Sequence, residues 1–124
     1  MEIETFFFDT YAFYEIISGN PNYKGFTKGA VIITTKLNLM ELYYGLLVKY
    51  NEKTAEKYYD LLVEFVIEID DESLKEAMKF RALNKEKNLS YIDCIGYVMA
   101  RKRGVKFLTG DKEFENMEGV EFVK

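Results

Sequence analysis

The chain has 124 residues, 17 basic and 21 acidic side chains for a net charge of −4, and an ordinary 48% of apolar residues, so nothing in its balance points to a disordered tail or a broadly basic nucleic-acid binder. A domain of this length can bury a real core without staples, and the one cysteine, Cys94, leaves no internal disulfide to form. There is no histidine, which excludes Ser-His-Asp and Cys-His machinery, imidazole proton transfer and the common zinc sites together, so any chemistry here runs on carboxylates.

Ile3–Phe8 is an apolar, aromatic-rich run that predicts a buried strand, and Thr10–Ser18 follows with the helical spacing of Tyr11, Tyr14 and Ile17. Gly19-Asn20-Pro21-Asn22 then breaks the chain at its one proline. Ala30–Thr34 is β-branched and apolar, which suits an interior parallel strand, and Lys36–Tyr50 reads as a strongly apolar helix. Thr54–Val66 is a second helix and Val66–Ile69 a short strand. Asp70 or Asp71 can cap a helix running to about Asn88, and Ser90 another over Tyr91–Arg103 that Gly104 closes. Val105–Thr109 and Val120–Val123 are the last strands, with a helical turn around Lys112–Asn116 between them. This alternation predicts one domain over residues 1–124, a three-layer α/β/α fold around a mostly parallel sheet of about five strands. The acidic start Met1-Glu2-Ile3-Glu4 carries no basic leader, and no apolar run approaches the ~18–20 residues that span a bilayer. The expectation is a cytoplasmic protein with no membrane segment.

In an open parallel sheet, ligands bind beyond the carboxyl ends of the strands. Asp9 directly follows Phe6-Phe7-Phe8, Asp111 follows Phe107-Leu108-Thr109 after one glycine, and the helix holding Glu41 starts just after Ile32-Ile33-Thr34. Asp93 lies in the first turn of the helix that leads into the strand ending at Thr109. Taken singly, Asp9 and Asp111 fit helix caps or turns, and Ser90-Tyr91-Ile92-Asp93 fits a capping box whose carboxylate also gains from the helix dipole. Asp93 shares a helical stripe with the small Gly96 and Ala100, which places it on a face that another element covers closely. Glu41 lies between Leu37, Tyr44 and Val48 on a helix apolar almost all round, with no Lys or Arg at i±3 or i±4. An uncompensated buried charge is expensive, so this position predicts a protonated, paired or cation-bound acid.

Four carboxylates within ~4 Å of one another would repel by about 4 kcal/mol per pair at an effective dielectric near 20, and a divalent cation relieves this. Oxygen ligands without His or a Cys cluster select Mg²⁺ or Mn²⁺, and carboxylate-held metals are a recurrent arrangement for phosphodiester hydrolysis. Thr109 and Ser90 are hydroxyl neighbours of two of the acids, able to orient a carboxylate or serve only as turn and cap groups.

These pieces resemble the PIN-domain family of metal-dependent ribonucleases, in particular the small single-domain VapC-type toxins. The resemblance runs from Phe8-Asp9-Thr10, through Thr35-x-x-Asn38-x-x-Glu41-Leu42-x-x-Gly45 and Leu89-Ser90-x-x-Asp93, to Leu108-Thr109-Gly110-Asp111-x-x-Phe114 and Gly119-Val120-Glu121. It implies that Asp9, Glu41, Asp93 and Asp111 are catalytic and metal-binding, with Thr109 as their catalytic hydroxyl. It further implies Mg²⁺ or Mn²⁺, an RNA substrate, a homodimer and an antitoxin whose tail lies across the active site. Tyr11 and Tyr97 stand where that family often has smaller residues, and Glu113 where it often has Asp.

RNA would need local positive charge against the net −4; Lys85 with Lys87 and Arg101-Lys102-Arg103 are the candidates, although cations also suit the last turn of a helix. Tyr43-Tyr44 and Tyr58-Tyr59 fit helix-pair packing, a dimer surface or base stacking. Cys94 reads as a small buried hydrophobe. A haloacid-dehalogenase-type phosphatase needs a second acid that Asp9-Thr10-Tyr11 lacks, and a receiver domain would leave Glu41 without a purpose. Two alternatives share the fold: a catalytically silent RNA- or protein-binding scaffold, and a housekeeping RNA-processing nuclease.

Overall fold

The computed structural model describes residues 3–124, so Met1 and Glu2 of the acidic start lie outside the described residues. Among the described residues four strands form one sheet: β1 (Thr5–Phe8), β2 (Val31–Ile33), β3 (Lys106–Thr109) and β4 (Val120–Phe122). Their order is β2-β1-β3-β4 and every pairing is parallel, with Phe7 opposite Ile33 on one side and Phe107 on the other. Five α-helices connect and cover them: α1 (Thr10–Ile17), α2 (Lys36–Lys49), α3 (Glu52–Leu62), α4 (Asp71–Leu83) and α5 (Tyr91–Arg103).

Period-two alternation in β1 and β3 divides the core into two layers. Phe6, Phe8 and Leu108 face one way and pack with Ala12, Phe13, Leu42 and Leu46 of α1 and α2. Phe7 and Phe107 face the other way, stacked with ring centroids 5.7 Å apart, against Ala77 of α4 and Cys94, Tyr97 and Ala100 of α5. The expected α/β/α sandwich is the one formed. Gly96 explains how α5 comes so close to the sheet: a Cβ there would stand 2.8 Å from a Phe7 ring carbon and 3.1 Å from one of Phe107. Cys94 is fully buried, as its reading as a small hydrophobe expects.

Local signals set most boundaries. Asn51 caps α3 by accepting from the Thr54 N–H, Asp70 caps α4 through Ser73, and Ser90 with Asp93 closes a reciprocal capping box at α5. Gly104 ends α5 in the left-handed region at φ 67°, a conformation that costs a residue with a Cβ.

Three expectations are corrected. The strand read at Ala30–Thr34 as interior to the sheet is its edge strand β2, at the end of the order β2-β1-β3-β4. The strand predicted at Val66–Ile69 is a single parallel bridge between Val66 and Thr34. Its partner runs out, because Thr35 is already the N-cap of α2, while Ile67 and Ile69 turn inward to the core. The sheet therefore has four strands. The helix predicted to reach about Asn88 stops at Leu83, where the Asn84 side chain donates to the Phe80 carbonyl at 2.8 Å and a turn follows. That turn lets Leu89 bury itself and Ser90 take up its cap.

Candidate active site

β1 lies between β2 and β3, so the chain leaves it first to one side and later to the other. The carboxyl end of β1 beside β3 is therefore the topological switch point, the place where ligands bind in such sheets. Asp9 stands there. Its N–H extends the ladder by donating to the Leu108 carbonyl at 3.1 Å, and its side chain is 97% covered although it occupies the N-cap position of α1. It makes no capping hydrogen bond. Its Oδ2 instead accepts from the Thr109 hydroxyl at 2.8 Å, and the Thr109 Oγ1 in turn accepts from the Asp111 N–H at 3.1 Å. Asp9 thus occupies the cap position without serving as a side-chain cap, and Thr109 bridges two of the predicted acids.

The other three acids come from separate elements. Asp93 reaches back to accept from the Ser90 N–H at 2.9 Å, and Asp111 accepts from the Glu113 N–H at 3.0 Å, so both also do the capping work that their neighbours in sequence predict. Glu41 is half-buried on α2. Its sequence argument is corrected here: the stripe it shares with Tyr44 and Val48 is not core, since each of those two is 69% exposed. The stripe points outward because α2 buries Leu39, Leu42 and Leu46 against the sheet. Glu41 lies at the edge of that covered face, which leaves its carboxylate free to face the site. Asp9, Glu41, Asp93 and Asp111 line one open pocket of about 210 Å³, completed by Thr10, Tyr11 and Tyr14.

Among the described residues no Lys or Arg lines this pocket. Burial, then the Asp93 charge, pushes the Asp9 carboxyl from 3.8 up to about 8 against the opposing Thr109 hydrogen bond. Asp93 is raised by burial and by the charges of Asp111 and Glu41, against the Ser90 N–H. The pocket is an electrostatic deficit that a cation would relieve. Among the described residues no group of three or more acid or Cys side chains is gathered tightly enough to hold an ion by direct ligation. Mg²⁺ needs no such cage, because it keeps several waters and is commonly held by one or two carboxylates. The all-oxygen donor set and the room in the pocket fit a hydrated divalent cation.

Reading by spacing missed the residues that hold this geometry. Asn38 is fully buried, accepts from the Thr35 hydroxyl at 2.6 Å and donates to the Thr10 hydroxyl at 3.1 Å, tying the start of α2 to the start of α1. Asp9 precedes Thr10, and Glu41 lies one turn beyond Asn38. Tyr14 of α1 lies against α2, donating to the Glu41 carbonyl at 3.4 Å, where a Cβ on Gly45 would collide with its hydroxyl. The visible signal was the pairing of Asn38 and Gly45 around Glu41 at −3 and +4.

The cation patches divide. Arg101 pairs with Glu118 at 3.7 Å, and Lys102 with Asp70 and Glu72 at 3.6 and 3.1 Å, so that patch is largely neutralised. Lys87 instead donates to the Glu113 carbonyl at 3.2 Å, close to Asp111 in the chain. Tyr43 stacks edge-on against Tyr59 at 6.0 Å, which is helix-pair packing.

A four-stranded parallel α/β/α sandwich with carboxylates gathered at the switch point defines a class of carboxylate-centred domains. Over residues 6–120 the sequence matches the PIN domain, and the chain belongs to that family. No curated protein matches it significantly. Among solved structures it is similar to VapC20 of Mycobacterium tuberculosis, described as a toxin cleaving the sarcin-ricin loop, with a TM-score of 0.80 and 18% identity over 96% of this chain and 99% of that one. It is similar also to a toxin-antitoxin complex chain from Klebsiella pneumoniae (TM-score 0.72, 21% identity, 93% and 94% covered). A third likeness is to the DNA-bound VapBC of Salmonella typhimurium (TM-score 0.71, 18% identity, 97% of each chain).

Proposed function

We propose that this PIN domain is a VapC-type endoribonuclease that hydrolyses RNA phosphodiester bonds with the help of Mg²⁺ or Mn²⁺. The observation that carries this reading is the convergence of Asp9, Glu41, Asp93 and Asp111 on one pocket that no Lys or Arg lines. A fold held only for structure would gain from an amide or an apolar group at such positions. When bound, a divalent cation supplies neutralisation of the phosphate and a lower pKa for an attacking water.

The chain's own residues have distinct parts in this reading. Asp9, most deeply placed, and Asp93, beside it in the pocket, would hold the ion. Thr109 fixes the Asp9 carboxylate through its hydroxyl and the Asp111 main chain through its oxygen. Glu41 and Asp111 stand on walls contributed by α2 and by the turn after β3, placed to bind the ion or orient water. The Asn38 network holds the α1 and α2 walls in register.

The biological setting belongs to the same proposal: a one-domain cytoplasmic toxin, acting as a homodimer and restrained by an antitoxin. The likeness to toxin-antitoxin chains supports an antitoxin partner. The apolar side chains that α2 and α3 leave open, Met40, Tyr44, Val48 and Leu61, supply area for a protein partner. No described helix is long and apolar enough to cross a membrane. The test is cleavage of a structured RNA pool by purified protein with Mg²⁺, Mn²⁺ or EDTA, with Asp93→Asn alongside. Cleavage that needs metal and vanishes in the variant is the expected result. Protein that neither responds to metal nor cuts RNA would favour the silent scaffold.

A further inference from the structure

The acidic pocket has a cation at its lip. Beyond β4, the Val123 N–H donates to the Thr109 carbonyl at 2.9 Å, so the chain continues alongside β3 toward the site. Two side chains fix this strap. The hydroxyl of the fully buried Tyr23 donates to the Val123 carbonyl at 2.6 Å, and the Asn22 amide donates to the Lys124 carbonyl at 2.8 Å. Lys124 is thereby delivered with its Nζ donating to the Gly110 carbonyl at 3.2 Å and lying 5.7 Å from the centre of the Tyr11 ring. Gly110 immediately precedes Asp111, and Tyr11 and Asp111 both form walls of the pocket. Gly110 is packed so tightly that a Cβ would strike both the Tyr11 ring and the Val123 carbonyl. Two contacts, the Gly110 carbonyl and the Tyr11 ring, thus place the ammonium of this exposed residue, while Tyr23 and Asn22 fix the main chain that carries it.

The ammonium is also unpaired. Among the described residues no carboxylate lies within ion-pair distance of Lys124, in contrast to Lys102, which Asp70 and Glu72 hold. One carbonyl and one aromatic face leave part of its three-donor capacity free. A phosphodiester approaching Asp9 and Asp93 brings negative charge into an already anionic pocket, and a fixed positive charge at the lip offsets that repulsion before the reacting group arrives. We propose that Lys124 is a substrate-positioning residue that contacts an RNA backbone phosphate at the pocket lip, with Tyr11 and the Tyr23-anchored strap fixing its place. This rests on the ribonuclease reading and assigns the direction from which the strand enters, over the β3–β4 edge.

The experiment measures kcat and KM for a fluorescently labelled single-stranded RNA that the wild type cuts, in Mn²⁺, across a range of monovalent salt. Wild type, Lys124→Ala and Lys124→Arg are compared, with Lys53→Ala on α3 as a control for loss of a remote charge. Losing one phosphate contact predicts for Lys124→Ala a roughly fivefold higher KM, kcat within about twofold, and a log–log salt slope shallower by about 0.7. Lys124→Arg restores KM and slope, and Lys53→Ala changes neither. Tyr23→Phe, which keeps the buried ring and frees the strap, raises KM in the same direction. A Lys124→Ala enzyme that cuts with wild-type KM and salt slope overturns the assignment while leaving the nuclease intact. So does one whose lost activity is a kcat effect that Lys124→Arg fails to restore, because that marks a strut rather than a phosphate contact. A wild type that cuts no RNA, and binds none as Asp93→Asn, overturns the ribonuclease reading itself.

Discussion

Replacing Asp9 by Asn should stabilise the metal-free protein and at the same time abolish its response to metal, a combination that few structural roles would produce. Burial and the neighbouring acids raise the Asp9 carboxyl from 3.8 to about 8. The folded state therefore binds this proton more tightly than the unfolded chain does, and the associated stability is complete below pH 3.8 and is lost as the pH climbs to about 8. At about 1.4 kcal/mol per pH unit, a rise of some four units amounts to a penalty on the order of 5 kcal/mol at pH 8 and above. Asn keeps the shape and can still accept from Thr109, but it carries no charge to desolvate. Even half of that penalty recovered would raise the unfolding midpoint by on the order of 10 °C. The assay is thermal unfolding of wild type and Asp9→Asn in EDTA at pH 5 and pH 8, repeated with Mg²⁺. Wild type should lose stability between the two pH values and regain about 3 kcal/mol when the ion is at a hundred times its Kd, whereas the variant should lose less, through Asp93 alone, whose carboxyl burial still raises, and should not respond to the ion. An Asp9→Asn protein that is less stable than wild type at pH 8 in EDTA, or that Mg²⁺ still stabilises equally, would refute the reasoning.

The remaining predictions concern the walls of the same pocket. Glu41→Gln, Asp93→Asn and Asp111→Asn should each remove metal-dependent RNA cleavage while circular dichroism shows an intact fold; a variant with full activity takes its residue out of the site. Gly45→Ala places a methyl group on the Tyr14 hydroxyl and should cost about 1–3 kcal/mol in urea unfolding. The added methyl would also meet the Tyr14 ring itself, so in a Tyr14→Ala background, which lacks that ring, Gly45→Ala should cost much less than alone, and additive losses would show that the two residues do not meet. Asn38→Ala leaves the Thr35 and Thr10 hydroxyls without their shared partner, which should cost about 1–3 kcal/mol in chemical unfolding and weaken metal-induced stabilisation further.

Most of the secondary structure was legible because local chemistry dictates it. Capping residues at Asp70, Ser90 and Gly104 and the aromatic run of β1 sit where the pattern of the chain puts them. The failures were non-local. Nothing within Val66–Ile69 reveals that its partner strand has ended, since that depends on Thr35 becoming a helix cap elsewhere in the chain. Likewise, the apolar appearance of α2 suggested an all-round buried helix, yet only one side of it faces the sheet. The inference at Glu41 reached the right pocket through a burial that Tyr44 and Val48 do not share.

The same contrast explains why the site was easier to locate than its entrance. An acid at a strand end can be recognised from its neighbours in sequence, because the fold class fixes where strand ends lie. Lys124 has no such signature. Its place at the pocket depends on Tyr23 and Asn22, about a hundred positions away, and on a glycine that lets Tyr11 lie flat beneath the ammonium. Carboxylates here are located by topology, whereas the one cation at the lip is located by packing. A search for charge along the sequence accordingly finds Arg101-Lys102-Arg103 first, a cluster that Glu118, Asp70 and Glu72 have already engaged. For a net-acidic protein meeting an acidic polymer, the informative cation is the one that packing places beside the acids with donors still free.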